Sequence, residues 1–148
     1  PEGSYFFRAE SFFNVATKAE DYRDFSSEPL MYGGRSLHGQ SHGESFLAFF
    51  QTFSGRGLYI MDEPEAALSP QRQLTLFIQI ARMAEAGAQF IIATHSPILL
   101  GIPGAEILSF DGGEVHPCEY EETESYQVTE MFINNRDTLT ERLLRDGV

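Results

Sequence analysis

The sequence predicts an α/β domain built on a central, mainly parallel β-sheet. An unbroken apolar run at 58–61 ends at Asp62 and Glu63. Such a run is typical of a central parallel strand that is buried on both faces. A second strand-like run at 89–93 follows a helical pattern at 70–86, and this strand–helix–strand order predicts a right-handed crossover between two parallel strands.

The composition limits the class of protein. The 148 residues are enough for a single domain, which we place at 1–148. The formal net charge of −12 opposes unaided binding to a nucleic-acid backbone, which needs clustered Lys and Arg. Cys118 is the single cysteine, which fits a reducing compartment and favours a cytoplasmic location. No apolar run approaches the roughly 20 residues of a membrane span, so we expect no membrane partner.

Four elements are predicted before the central strand. Aromatic residues at 5–7 predict a strand, and a helix follows at 11–21. The stretch 25–43 is rich in Ser, Gly and His and is typical of a loop. A wide apolar face predicts a helix at 44–53, and a Ser-x-x-Glu capping box marks its start.

The longest predicted helix follows the central strand. Ser69 fits its N-cap and Pro70 its first position. The helix extends to Ala86, and Gly87 ends it. Its predicted inward residues are Leu74, Phe77, Ile78 and Ala81.

The C-terminal part contains shorter elements. Ser96 fits the cap of a short helix after the second strand of the unit. An Asp-Gly-Gly turn signal joins two predicted strands at 106–110 and 114–117. Two short helices are predicted at 125–132 and 138–144.

Three polar side chains follow the two strands of this unit. Because parallel strands bring their carboxyl ends to one edge, we expect Asp62, Glu63 and His95 to lie close together, although 32 residues separate Glu63 from His95. Ligands of open parallel sheets bind at this edge. Two adjacent acids there suit a metal ion or an activated water, since carboxylates without such a partner are costly.

The order of three segments, 41–45, 62–69 and 94–96, resembles the C-terminal half of an ABC-type ATPase. The likeness is strongest to the stand-alone bacterial ATPases of the AAA/ABC group, which are relatives of the SMC-like DNA-maintenance ATPases. It covers most of 5–110. The resemblance implies a P-loop NTPase-like three-layer sandwich around a mainly parallel sheet, of which this chain holds the C-terminal portion. It also implies ATP and Mg²⁺ as cofactors.

The first segment matches the family signature, Leu-Ser-Gly-Gly-Gln, in a degenerate form. Ser41 and Gly43 match the Ser and the second Gly, whereas Gln40, His42 and Glu44 replace the other three residues. The resemblance implies that Ser41, Gly43 and Glu44 bind the nucleotide of the opposite subunit, so that a head-to-tail dimer completes the site. The N-terminus of the helix that starts there suits a phosphate.

The other two segments contain the family's catalytic groups. Residues 58–62 resemble the Walker B strand, in which Asp62 holds Mg²⁺, and Glu63 matches the catalytic carboxylate. Ser69 lies in a segment that resembles the D-loop, where transporters usually have Asp. His95 matches the switch histidine that contacts the γ-phosphate. Phosphoryl transfer needs positioning and charge stabilisation more than covalent chemistry, and these residue types can supply both.

The P-loop, Gly-x-x-x-x-Gly-Lys-Ser/Thr, is missing from this sequence. Its single lysine, Lys18, has no glycine among the ten residues before it. In the family the P-loop precedes every segment seen here, and the chain begins with Pro1. We therefore expect a fragment whose partner is the missing N-terminal P-loop half, and whose unpaired strand edges favour self-association.

Two other functions fit the same residues. One is a non-enzymatic module whose surfaces serve dimerisation or partner binding, which the missing P-loop favours. The other is a metal-dependent phosphohydrolase or nuclease that uses Asp62, Glu63 and His95 directly. A P-loop encoded before Pro1 would favour the ATPase, whereas metal-dependent cleavage without ATP would favour the nuclease.

The missing P-loop leads to a prediction about nucleotide affinity. Without the P-loop backbone and lysine, the β- and γ-phosphates lose their main cradle, so the 148-residue chain alone should bind Mg-ATP weakly or not at all. Isothermal titration of the purified chain with Mg-ATP measures this. Binding in the micromolar range would contradict the prediction.

Overall fold

The computed structural model of the chain describes residues 3–8, 47, 50–53 and 55–146. The chain divides into two compact units, Pro1–Leu99 and Leu100–Val148. The single domain expected at 1–148 stays a prediction.

The first unit contains a three-stranded parallel sheet. Its strands are β1 (Ser4–Arg8), β2 (Leu58–Asp62) and β3 (Gln89–Ala93), in the order β1-β2-β3. Both pairings are parallel, so that β2 is the central strand of this sheet. The three predicted strands and the parallel strand–helix–strand unit are thus confirmed.

Aromatic side chains cover one face of this sheet. Tyr5, Tyr59 and Phe90 share one register position, and their rings stack across the strands with centroids 5.2 and 5.0 Å apart. Phe50, which is fully buried, meets the ring of Tyr59 edge-on at 6.3 Å. Burial, with a smaller contribution from Tyr5, raises the pKa of the Tyr59 phenol above its usual value. Stacked and edge-on ring pairs of this kind add to the stabilisation from burial alone.

The helix predicted at 44–53 is described only in part. Leu47 and Phe50 are helical, and residues 51–52 form a turn. The predicted helix at 11–21 and the loop at 25–43 lie outside the described residues.

The opposite face of the sheet corrects one expectation. Tyr59 and Met61 of β2 are buried, but Leu58 and Ile60, which alternate with them, are only half-buried. On the same face, Phe6 of β1 is 65% exposed. The prediction that the central strand is buried on both faces is therefore wrong, because Leu58 and Ile60 keep an intermediate exposure.

The long helix α1 (Pro70–Glu85) begins and ends where the sequence predicts, within one residue. The Ser69 hydroxyl accepts a hydrogen bond from the Arg72 N–H at 3.4 Å, and Pro70 takes the first helical position. Gly87 follows the C-cap with φ +96°. This left-handed conformation favours glycine and explains the end of the helix.

The buried face of α1 differs from the predicted one. Leu76, Ile80 and Met83 are buried, whereas the predicted inward residues Leu74 and Ile78 are about half exposed, at 51% and 48%. The other two predicted inward residues, Phe77 and Ala81, are intermediate. The helix has apolar residues on more than one stripe, so periodicity alone selects the wrong stripe.

The remaining elements are short, apart from the last helix. The helix α2 (Pro97–Leu100) follows β3. Strands β4 (Ile107–Ser109) and β5 (His116–Cys118) form the predicted antiparallel hairpin. The last helix, α3 (Glu124–Asp146), is kinked at Asn135, whose φ and ψ angles are not helical. The sequence predicts two separate helices in this region, at 125–132 and 138–144, on either side of this kink. Among the described residues, no helix has both the length and the apolar composition needed to cross a bilayer.

The burial of α1 leads to a stability prediction. Leu76 has 0% of its surface exposed and Leu74 has 51%. Leu76→Ala should lower the free energy of unfolding by about 2–5 kcal/mol through lost burial and a cavity, whereas the matched control Leu74→Ala should change it by less than about 1 kcal/mol. Urea unfolding followed by circular dichroism measures both values. Equal losses in the two variants would show that the helix buries a different face.

Candidate functional site

The three parallel strands end at the same edge of the sheet. Their last residues, Arg8, Asp62 and Ala93, share one register position. Glu63 follows β2 directly, and the segment 94–96 follows β3. The candidate site is built from these strand ends and from the turns that leave them.

The carboxylate of Asp62 is paired with a cation from the neighbouring strand. Arg8 Nε lies 3.0 Å from Asp62 Oδ2, and the two side chains are 51% and 37% exposed. Because the pair is partly exposed, it contributes no more than about 1 kcal/mol to stability. The pairing shows that the edge can hold a positive charge against Asp62.

Glu63 has an unusual backbone conformation. Its φ and ψ angles are 45° and 53°, and it is the one non-glycine residue with positive φ in the described ranges. Its N–H donates to the carbonyl of Ala93 at 2.9 Å, so β2 stays tied to β3 past its last residue. The 3₁₀ turn Pro64–Ala67 follows Glu63 directly. Left-handed backbone at a non-glycine residue costs about 1–2 kcal/mol, and such strain often marks functional sites.

His95 approaches Glu63 across the strand ends. Its Nε2 atom lies 4.0 Å from Glu63 Oε1, and the two side chains are 87% and 57% exposed. This distance is too long for a hydrogen bond, but a water molecule can contact both groups. The predicted approach of the imidazole to Glu63 is therefore present in the structure.

Glu65 joins the two strand ends, which the sequence analysis missed. Its Oε1 atom accepts a hydrogen bond from the backbone N–H of His95 at 2.7 Å. A second link runs through Gln73, which accepts from the Ser96 hydroxyl at 2.6 Å and donates to the carbonyl of Leu68 at 3.1 Å. The signal that could have found Glu65 is its place in the turn after β2, at the edge where His95 was already expected.

Four other residues, Ser41, Gly43, Glu44 and Ser69, are predicted to bind a nucleotide. The Ser69 side chain caps the helix by accepting from the Arg72 N–H, and its role in binding a nucleotide stays a prediction. Ser41, Gly43 and Glu44 lie outside the described residues.

The chemistry of the edge fits Mg²⁺. Within the described ranges, no group of three or more His, Cys, Asp or Glu side chains is arranged to hold a metal ion. Mg²⁺ in nucleotide-hydrolysing enzymes needs less, since it binds through one or two carboxylates and the phosphates of its substrate. Asp62, already beside the cationic Arg8 at 3.0 Å, is a carboxylate of this kind.

Comparison with known proteins gives one family. Residues 36–101 match the family described as "AAA domain, putative AbiEii toxin, Type IV TA system". This segment is just under half of the chain and includes Asp62, Glu63 and His95. Together with the parallel sheet, the match supports an α/β, P-loop-like domain of the AAA ATPase type. No curated protein and no solved structure matches the chain.

The backbone of Glu63 leads to a test by paired substitutions. Because φ at this position is 45°, Glu63→Gly should be more stable than Glu63→Ala by about 1 kcal/mol. At Thr75, inside α1, the order should reverse, with the glycine variant less stable by about 1 kcal/mol. Chemical unfolding of the four variants measures these differences. If alanine is the more stable residue at both positions, the left-handed conformation of Glu63 is wrong.

Proposed function

We propose that this chain forms part of an ATPase that binds ATP with Mg²⁺ and hydrolyses it at the edge formed by β1, β2 and β3. The observation that carries this proposal is the meeting of Asp62, Glu63 and His95 at that edge. Glu63 and His95 approach to 4.0 Å although they come from different strand ends. The match to an AAA domain over the same residues supports it.

Each of the three side chains has a proposed task. Asp62 holds Mg²⁺, which when bound neutralises negative charge on the phosphates. Glu63 orients and deprotonates the attacking water as a general base. Its carboxylate is more than half exposed and so accessible to water. His95 contacts the γ-phosphate from the neighbouring strand end.

Arg8 keeps Asp62 in place when no metal is bound. Its guanidinium lies at 3.0 Å from the Asp62 carboxylate, where it offsets the charge of the acids at the edge. Because a surface ion pair contributes little to stability, Mg²⁺ can replace Arg8 beside Asp62 without a large loss of stability.

The complete site needs parts beyond these three residues. A P-loop must hold the β- and γ-phosphates, and we propose that it belongs to the N-terminal half of the same ATPase. Ser41, Gly43, Glu44 and Ser69 would contact the nucleotide of a second subunit in a head-to-tail dimer. The family description names a toxin of a type IV toxin–antitoxin system, and we propose such a system as the setting of this ATPase.

The role of Glu63 can be tested where the chain is joined to its P-loop half. Glu63→Gln removes the base but keeps the size of the side chain, so the ATPase rate should fall by about 100-fold or more. ATP binding should remain, and ATP-bound dimers should accumulate. Phosphate release and size-exclusion chromatography measure the two effects.

The matched control is Glu85→Gln, which makes the same change at an exposed residue of α1. It should leave the rate unchanged. An unchanged rate in Glu63→Gln would contradict the role given to Glu63, and nucleic-acid cleavage that needs metal but no ATP would favour a nuclease instead.

A further inference from the structure

Glu65 lies in the 3₁₀ turn directly after the candidate base. Its Oε1 atom is 2.7 Å from the backbone nitrogen of His95, a residue 30 positions further along the chain. This distance is short for an N–H···O bond, as expected when the acceptor is a carboxylate. The bond therefore connects the turn segment, defined as 64–68, with the switch segment, defined as 94–96.

A second connection joins the same two segments. The Ser96 hydroxyl donates to Gln73 Oε1, and Gln73 Nε2 donates to the carbonyl of Leu68. Ser96 is buried, and its oxygen also accepts from the N–H groups of Ile98 and Leu99. Gln73 thus holds the C-terminal side of the switch segment at Ser96. Glu65 holds the backbone N–H of His95.

The imidazole of His95 is held weakly by comparison. Its side chain is 87% exposed, and its approach to Glu63 is 4.0 Å. In the described part of the chain, no hydrogen bond to the ring itself is present. The position of the ring therefore depends on the backbone that carries it, and this backbone is where Glu65 binds.

The second oxygen of Glu65 has a different environment. Glu65 Oε2 is buried and has no hydrogen-bond partner among the described residues. Burying a carboxylate oxygen in this way has a free-energy cost. The cost has to be offset, and the charge-assisted bond to His95 is the interaction of this side chain that can offset it.

We propose that Glu65 is the positioning residue for His95: its carboxylate fixes the His95 backbone so that the imidazole stays beside Glu63. This role rests on the proposed function, in which His95 contacts the γ-phosphate and its position therefore matters. It also couples the turn segment to the switch segment, so a displacement of one moves the other.

Amide hydrogen exchange of the ¹⁵N-labelled chain tests the bond without any nucleotide. The His95 amide should be protected in the wild-type chain. In Glu65→Ala its exchange should be faster by about tenfold or more, the factor expected for losing one charge-assisted hydrogen bond. Glu65→Gln should keep most of the protection, because its amide oxygen can still accept. Glu85→Ala, which removes an exposed acid from α1, should leave the exchange of His95 unchanged.

Two results would overturn the proposal at this stage. One is a His95 amide that exchanges as fast as an unprotected peptide in the wild-type chain. The other is equal protection in the wild type and in Glu65→Ala. Circular dichroism of each variant shows whether it is folded. If Glu65→Ala does not fold, the comparison uses Glu65→Gln and the wild type, and the His95 amide must be protected from exchange in both.

Kinetics of the chain joined to its P-loop half separate positioning from a merely structural role. Glu65→Ala should lower kcat by about tenfold or more with KM changed by less than about threefold, because a displaced catalytic group affects the reaction more than binding. Glu65→Gln should recover most of the lost kcat. If Glu63→Gln abolishes turnover while Glu65→Ala leaves kcat unchanged, the proposal for Glu65 fails and the ATPase stands. If neither variant changes the rate, the proposed function fails, whatever the exchange of the His95 amide.

Discussion

The in-register parallel alignment of three short strands is the constraint on which the candidate site depends. Tyr5, Tyr59 and Phe90 stack in one row across β1, β2 and β3, with Phe50 against the central ring. The side-chain period of a strand is two residues, so a slip of one residue would turn these rings to the opposite face. The row therefore fixes the register, and the register places the three strand ends at one edge.

The edge combines three carboxylates in different environments. Asp62 is paired with Arg8, and Glu65 accepts the N–H of His95. Glu63 differs from both, because its carboxylate has the imidazole at 4.0 Å and its backbone is strained. Glu63 is thus a strained, exposed acid between two residues whose carboxylates have close partners, which is why the proposed role of general base falls on it.

Local signals in the sequence predicted the elements well and the tertiary contacts less well. The apolar run before Asp62, the Ser69–Pro70 helix start and the hairpin turn each depend on neighbouring residues, and each was found. The buried face of α1 was wrong because Leu74 and Leu76 are equally apolar, so only packing against the sheet distinguishes them.

The hydrogen bonds and ion pairs at the edge could not be predicted from the sequence, for a related reason. The partners Arg8 and Asp62 are 54 positions apart, and Glu65 reaches a residue 30 positions away. Such pairs become neighbours only through the strand register, which depends on the whole sheet. The sequence could indicate that Asp62, Glu63 and His95 share an edge, because that follows from parallel strands alone. It could not indicate which side chains hold them there.

The most direct test of the account is where a divalent cation binds relative to His95. Mn²⁺, a paramagnetic substitute for Mg²⁺, broadens the NMR signals of nearby nuclei. In the labelled chain joined to its P-loop half and saturated with ATP, low concentrations of Mn²⁺ should broaden the imidazole signals of His95, and Asp62→Asn should remove this effect. Imidazole signals of His95 that stay sharp while Mn²⁺ broadens other parts of the chain, or broadening that persists in Asp62→Asn, would contradict it.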